Sequence, residues 1–281
     1  VGYTTGKKVL ITGGSTGIGK AIALAMAREG AQVVLLARGA AALDAAVAEL
    51  RAVGASGATF GAVRADVSDP AAVNAAVAEA IGLLGGLDVL ICNSGFAAAS
   101  DVRSTSLETF HQLMSVNFFG HVHAVQAASD HFTRQGRGDI VLVSSMLAVL
   151  SVWGYGAYSA SKFAITGFAQ ALRQEMLLHG VRVKLFLPPT TDTPGLAKEN
   201  ESKPPLVYEM EMGSALNATH SADKVATAFL RWLPSKRFYG YATWDSWLQF
   251  FLAHHVPELL LTLADGELRG AQARLDKKKT G

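Results

Sequence analysis

The chain has a single cysteine, Cys92, in 281 residues. An intramolecular disulfide and a multi-cysteine zinc centre are therefore excluded, and a reducing compartment is expected. Charge is scarce as well. Only 17% of residues are charged against 50% apolar, which excludes disorder and a solvated coiled coil and leaves ample material for a core. The 25 basic and 23 acidic residues leave a net +2, with no basic stripe apart from Lys277-Lys278-Lys279, so no nucleic-acid partner is expected. The 28 glycines follow no Gly-X-Y period, which removes collagen.

Long apolar runs are few. The charge-free stretch Ile140 to Ser161 is long enough on paper to span a bilayer, but its five serines, two glycines and two tyrosines read as a strand and a helix of a soluble domain. Trp244 to Leu263 is oilier in places and is interrupted by Asp245, His254-His255, Pro257 and Glu258. It reads either as a segment lying in a membrane interface or as a helix packed in the core or between subunits. No signal peptide is visible. The chain opens at Val1 rather than methionine, so an N-terminal anchor upstream stays open.

What is present is an alternation of short apolar runs with longer amphipathic ones. Strands are expected at Val9–Ile11, Gln32–Ala37, Thr59–Ala65, Asp88–Cys92, Asp139–Ser144 and Val181–Leu187. Helices are expected at Gly17–Arg28, Ala40–Val53, Pro70–Leu84, Leu107 to about Arg134 as one long element, and Ala157 to about His179. This order predicts an α/β fold, a doubly wound parallel sheet with helices on both faces and ligands at the carboxyl ends of the strands. From Pro188 to Ser214 the pattern fails amid five prolines, which predicts a long lid or substrate loop. The expected division is a catalytic domain over 1–243 and an apolar C-terminal extension over 244–281.

The first strand runs into Thr12-Gly13-Gly14-Ser15-Thr16-Gly17-Ile18-Gly19. Gly13 permits the tight turn, and Gly17 and Gly19 permit close approach of backbone to phosphate and of helix to sheet. The free N–H groups of the following helix then face a pyrophosphate. The spacing is G-x-x-x-G-x-G, and Lys20 lacks the context of a Walker loop. The second strand ends at Arg38, where an enzyme favouring NAD would place a carboxylate for the ribose 2′-hydroxyl. A guanidinium there suits the 2′-phosphate of NADPH, the alternative being a plain surface arginine.

Tyr158 and Lys162 stand four residues apart, hence on one helical face. A nearby cation is expected to lower the phenol's pKa and make it a usable acid. Ser145 closes the preceding strand, placed to hydrogen-bond a substrate carbonyl. Asn117 sits among large apolar residues in Val116-Asn117-Phe118-Phe119, as a satisfied core amide or as part of a proton relay. The histidines are spaced wrongly for helical metal pairs and no metal site is expected. Trp153, between Ser145 and Tyr158, is a candidate for the substrate entrance.

Taken in order, the phosphate loop, Asp66-Val67, Cys92-Asn93-Ser94-Gly95, Asn117, Ser145 and Tyr158-x-x-x-Lys162 resemble a classical short-chain dehydrogenase/reductase over roughly Lys7 to Ala197. The resemblance implies a Rossmann-type fold, Tyr158 as general acid, Ser145 orienting the carbonyl, and Lys162 binding the nicotinamide ribose and tuning the phenol. It implies that Asn117 holds a relay water, that Asp66 and Val67 contact adenine, and that Asn93, Ser94 and Gly95 stand beside the cofactor. Cys92 and Ser94 depart from the family's usual Asn-Asn-Ala-Gly. The stretch Pro188-Pro189-Thr190-Thr191-Asp192-Thr193-Pro194-Gly195, followed by Glu199-Asn200 and Lys203-Pro204, is similar to the 3-ketodihydrosphingosine reductases within that family. In this likeness Pro188, Thr191 and Thr193 flank the nicotinamide, and Ser15, Thr16 and Ile18 complete the phosphate turn.

What the likeness implies is NADPH-dependent reduction of the C3 ketone of 3-ketosphinganine. It further implies a sphingoid-base substrate, a membrane surface nearby, a homo-oligomer (dimer or tetramer), and a place on the cytoplasmic side of the endoplasmic reticulum, or in the cytoplasm of a bacterium. Reduction of another lipophilic ketone, a steroid or a 3-oxoacyl group, is the alternative. An NADPH-binding sensor without turnover is the alternative outside enzymes, and the Ser145, Tyr158, Lys162 set argues against it.

Overall fold

The computed structural model describes residues 2–213 and 218–280. Val1, Ser214 (the expected loop end), Gly281 and the side chain of Lys279 lie outside the described residues. Seven parallel strands form one sheet in the order β3-β2-β1-β4-β5-β6-β9: β1 (Lys8–Thr12), β2 (Gln32–Ala37), β3 (Phe60–Arg64), β4 (Val89–Cys92), β5 (Gly138–Val143), β6 (Val181–Leu187) and β9 (Tyr239–Tyr241). The central strands are apolar through their middles because both faces are covered, and the charged Lys8, Arg64 and Asp139 stand at or next to strand ends. Leu10, Leu36, Leu90, Ile140 and Leu142 point to one core, with Val73, Val77, Phe132 and Leu172 from the helices on that side. Val9, Ile11, Val33, Leu35, Ile91 and Val141 point to the other, with Ile22, Met26, Leu50 and Phe229.

The connecting helices are α1 (Gly17–Arg28), α2 (Ala40–Val53), α3 (Pro70–Leu84), α4 (Leu107–Leu113), α5 (Gly120–Gln135) and α6 (Gly156–Leu177). Helix α3 starts where its sequence says it should. Asp69 accepts from the amides of Ala71 at 2.9 Å and Ala72 at 3.1 Å, and Pro70 occupies the first turn without needing a donor.

Two expectations are corrected. The long helix from Leu107 is interrupted by a π-helical turn over Met114–Phe119. There Asn117 leaves the regular ladder to bind the backbone of Phe96, and widened turns of this kind recur at functional sites. The stretch after β6 is also not an unstructured loop. It holds β7 (Thr191–Asp192), α7 (Pro194–Asn200) and α8 (Pro205–Gly213), and β7 pairs with β8 (His220–Ser221). Pro194 and Pro205 each begin a helix, where the missing amide hydrogen costs nothing.

The remaining elements are α9 (Ala222–Trp232), α10 (Trp244–His255) and α11 (Pro257–Thr280). Helix α11 lies back against α8, where Arg274 donates to the carbonyl of Glu209 at 2.8 Å and Leu260 and Ala271 are buried. Among the described residues, no helix is long and apolar enough to cross a membrane.

Candidate active site

Strand β1 has β2 on one side and β4 on the other, which makes the carboxyl ends of β1 and β4 the switch point of the sheet. A cleft of about 1250 Å³ opens there. At its floor Gly13 has φ +64°, and a Cβ at this position would stand 2.9 Å from the Cα of Ser94. Only glycine lets the turn cross the end of β4 so closely. The hydroxyl of buried Thr12 accepts from the amides of Asn93 at 3.0 Å and Ser94 at 3.1 Å. The Asn93 side-chain Nδ2 donates back to the carbonyls of Thr12 and Gly13. Thr12 was not singled out by sequence, because its role depends on the β1–β4 register.

Gly13, Ser15, Thr16, Gly17 and Ile18 line the cleft, and Thr16 starts α1 with no side-chain cap, which leaves first-turn amides for a ligand. Thr193 caps α7, its methyl facing Gly17, so the segment after β6 closes over the turn. Gly19 is not on the wall. A Cβ there would meet the Gly13 carbonyl oxygen at 2.4 Å, so this glycine seats α1 on the turn. This glycine cradle, with Asp66, Val67, Asn93, Ser94, Gly95, Pro188, Thr191 and Thr193 along the same wall, fits an extended dinucleotide.

Arg38 is on the wall at the β2 end, largely exposed, with a guanidinium nitrogen 3.5 Å from the carboxylate of Asp66. Burial would raise the Asp66 carboxyl, but bonds from the amide and hydroxyl of Ser68, together with Arg38, hold it below its ordinary value. A second guanidinium, Arg64, stands next to Arg38 and was not foreseen. The β2–β3 register pairs Ala37 with Arg64, so the signal lay in strand pairing and not in the residues following Arg38.

At the other end of the cleft, Ser145 and Tyr158 share the wall, and the amide of Leu147 donates to the Ser145 hydroxyl at 3.1 Å. Helix α6 places Lys162 one turn on, its ammonium 5.7 Å from the centre of the Tyr158 ring and 3.4 Å from the Val143 carbonyl. Ser144 anchors that turn by donating to the Lys162 carbonyl at 2.9 Å. Burial pushes the Tyr158 phenol up to about 12, with the Ser145 hydroxyl opposing and the charge of Glu199 adding. The expected lowering of this phenol is thus reversed. Burial also pushes Lys162 down to about 8.

Asn117 is fully buried and is not on the cleft wall. Its carbonyl oxygen accepts from the Phe96 amide at 2.9 Å, and its nitrogen donates to the Phe96 carbonyl at 3.0 Å and the Ser161 hydroxyl at 2.9 Å. It is a satisfied amide holding Gly95 and Phe96 against α6. Trp153 does reach the wall, beside Leu147, Val152 and Tyr155. Leu260, Leu263 and Ala264 of α11 close the far side, so the C-terminal segment is part of this cleft.

An open parallel sheet with a glycine turn at its switch point and a Ser–Tyr–Lys set on one wall defines an oxidoreductase of the dinucleotide-binding type. The family model described as short chain dehydrogenase matches residues 7–204, and the chain belongs to that family. It is 40% identical over 223 residues to the 3-dehydrosphinganine reductase TSC10B of Arabidopsis thaliana, covering 78% of this chain and 65% of that protein. It is 37% identical over 201 residues to a 3-ketodihydrosphingosine reductase of Bos taurus, covering 71% and 60%. The chain thus spans somewhat under two thirds of the length of these two relatives. Among solved structures, a short chain dehydrogenase/reductase from Burkholderia phymatum in complex with NAD matches with a TM-score of 0.79 at 27% identity, covering 92% of this chain and 96% of that one.

Proposed function

We propose that this chain reduces the C3 ketone of 3-ketosphinganine to sphinganine, with NADPH as the electron donor. The observation that carries the reading is that Ser145, Tyr158 and buried Lys162, its ammonium 5.7 Å from the Tyr158 ring, line the same cleft as the glycine cradle. The names of the relatives support the substrate, and the absence of a carboxylate at Arg38 supports the 2′-phosphate. When bound, the reduced nicotinamide supplies a hydride to the carbonyl carbon.

The chain's own residues handle the oxygen and the proton. Ser145 donates to the carbonyl oxygen and polarises it. Tyr158, whose phenol stays protonated far above neutrality, gives that oxygen its proton as the alkoxide develops. The Lys162 ammonium stabilises the phenolate left behind and orients the ribose. Asn117 keeps Gly95 and Phe96 in place behind the cofactor, and Thr191, Thr193 and Pro188 face the nicotinamide. Arg38 takes the 2′-phosphate, and Asp66 and Val67 border the adenine.

The tail of a single-chain lipid needs an apolar route or the bilayer itself, since each buried methylene is worth about 0.8 kcal/mol. Leu260 and Leu263 offer the route, and exposed Trp244, Trp247 and Phe251 on α10 offer a surface that leans on a membrane. The test is NADPH oxidation with 3-ketosphinganine beside a steroid ketone and a 3-oxoacyl thioester. The sphingoid ketone is expected to give the highest kcat/KM, and a higher value with either competitor overturns the reading.

A further inference from the structure

One feature of the cleft wall is left unused by this chemistry. Next to Tyr158, with ring centres 6.1 Å apart, stands Tyr155, and its hydroxyl donates to Glu199 of α7 and, at 3.1 Å, to Glu211 of α8. Lys203 donates to Glu211 at 2.9 Å and lies 3.2 Å from Glu199, with its side chain fully buried. Two carboxylates thus share one ammonium. Tyr155 stays protonated, because burial and both carboxylates raise its pKa. The group therefore carries one uncompensated negative charge.

Tyr155, Glu199 and Glu211 are on the cleft wall, and the charge of Glu199 reaches the phenol of Tyr158. The bond from Tyr155 and the approach of Lys203 at 3.2 Å both fall on Oε1 of Glu199. A fastening between α7 and α8 needs only one carboxylate per lysine. A second, in a partly desolvated wall next to the proton donor, costs free energy unless a cation joins it. The other charged side chains on this part of the wall, Lys198 and Glu267, are exposed and opposite in sign.

Resting on the function proposed above, we infer that Glu199, with Glu211 behind it, binds the ammonium group on the carbon adjacent to the reacting carbonyl and so selects an α-amino ketone over a plain lipophilic ketone. With the reacting carbonyl at Ser145 and Tyr158, the neighbouring carboxylate on the same wall is Glu199, which Tyr155 holds next to the Tyr158 ring and which a cation one carbon away would meet. Tyr155 and Lys203 are positioning residues that keep the carboxylates turned to the cleft. The pairing also holds the substrate amine protonated, which an α-amine with an ordinary pKa near 8 requires only mildly at neutral pH.

The experiment measures kcat/KM for 3-ketosphinganine and for the same long-chain ketone lacking the amine, in the wild type and in Glu199→Gln. The wild type is expected to prefer the amino ketone, and the glutamine variant to lose at least tenfold of that preference, through KM. Inhibition by sphinganine, which keeps the ammonium but not the ketone, should weaken by a similar factor. If the preference stays within twofold of wild type, the ammonium assignment is overturned while the reductase reading stands. If the wild type reduces neither ketone, the reductase reading itself fails and this inference with it. Should Glu199→Gln melt early, Glu211→Gln carries the same ratio test, and an unchanged ratio there overturns the assignment.

Discussion

Arg64 donates from Nε to the carbonyl oxygen of Arg38 across 2.8 Å, which puts two guanidinium groups at the end of β2, where the proposed function places the cofactor's ribose. The Asp66 carboxylate competes for the Arg38 head at 3.5 Å, but a pair this exposed is weak and yields to a phosphate. Arg38→Asp is expected to lower the NADPH-to-NADH ratio of kcat/KM by roughly 10- to 100-fold, the worth of a charge-assisted bond. Arg64→Ala should move the ratio in the same direction by less. Unchanged ratios in steady-state kinetics with both cofactors would make Arg38 a plain surface residue.

Tyr158→Phe keeps the ring and removes only the proton donor. Turnover is expected to fall by roughly 10²- to 10⁴-fold with NADPH affinity, measured by fluorescence titration, nearly intact. Activity above a few per cent of wild type would remove Tyr158 from its role.

The pH profile follows from the two shifts. The phenol, at about 12, holds its proton throughout the working range, so it sets no limb there. Lys162, at about 8, is cationic below that pH and loses its charge above it. If the ammonium is needed, kcat/KM for reduction falls as pH rises through about 8. A profile flat to pH 10 would sink this assignment.

At the opposite end of the sheet, buried Asp139 accepts from Arg182 at 2.6 Å and from the Tyr3 hydroxyl at 2.7 Å, tying the N-terminal segment and β6 to β5. Asp139→Ala strands both donors. Because Arg182 is partly exposed, the loss belongs at the low end for a broken pair, about 2 kcal/mol. Urea unfolding should show it, with substrate KM unchanged, since Asp139 is at the amino end of its strand and the cleft at the carboxyl end.

Six strands and five helices were legible because continuous apolar runs and 3.6-residue periods report burial directly, and Gln32–Ala37 and Ala40–Val53 agree to the residue. The π-helical turn was not, because Asn117 breaks the helix through a contact with Phe96, 21 residues away. Prolines hid α7 and α8, since Pro194 and Pro205 read as breakers yet occupy first turns. At the site, Tyr158 and Lys162 were legible by spacing. Thr12, Arg64 and the Tyr155–Glu199–Glu211 group were not, because each depends on strand register or on helices that meet only in the fold.

The C-terminal surface separates two of the expectations. Phe250 does not face out: its ring is 4.6 Å from Tyr239, 5.0 Å from Tyr241 and 4.0 Å from His254, so its removal would damage the fold. Trp247 and Phe251 are the exposed pair, 44% and 41% accessible and stacked at 5.6 Å, with Trp244 at 71% beside them. Inserting two such half-exposed rings into an interface is worth about 1 kcal/mol each. Trp247→Ser with Phe251→Ser is therefore expected to weaken binding to anionic liposomes by at least tenfold in a sedimentation assay. It should also raise KM for the long-chain ketone, while a short water-soluble ketone is reduced as before. If the double variant instead goes from dimer to monomer by light scattering, with liposome binding and lipid kinetics intact, α10 is a contact between subunits and the membrane reading falls.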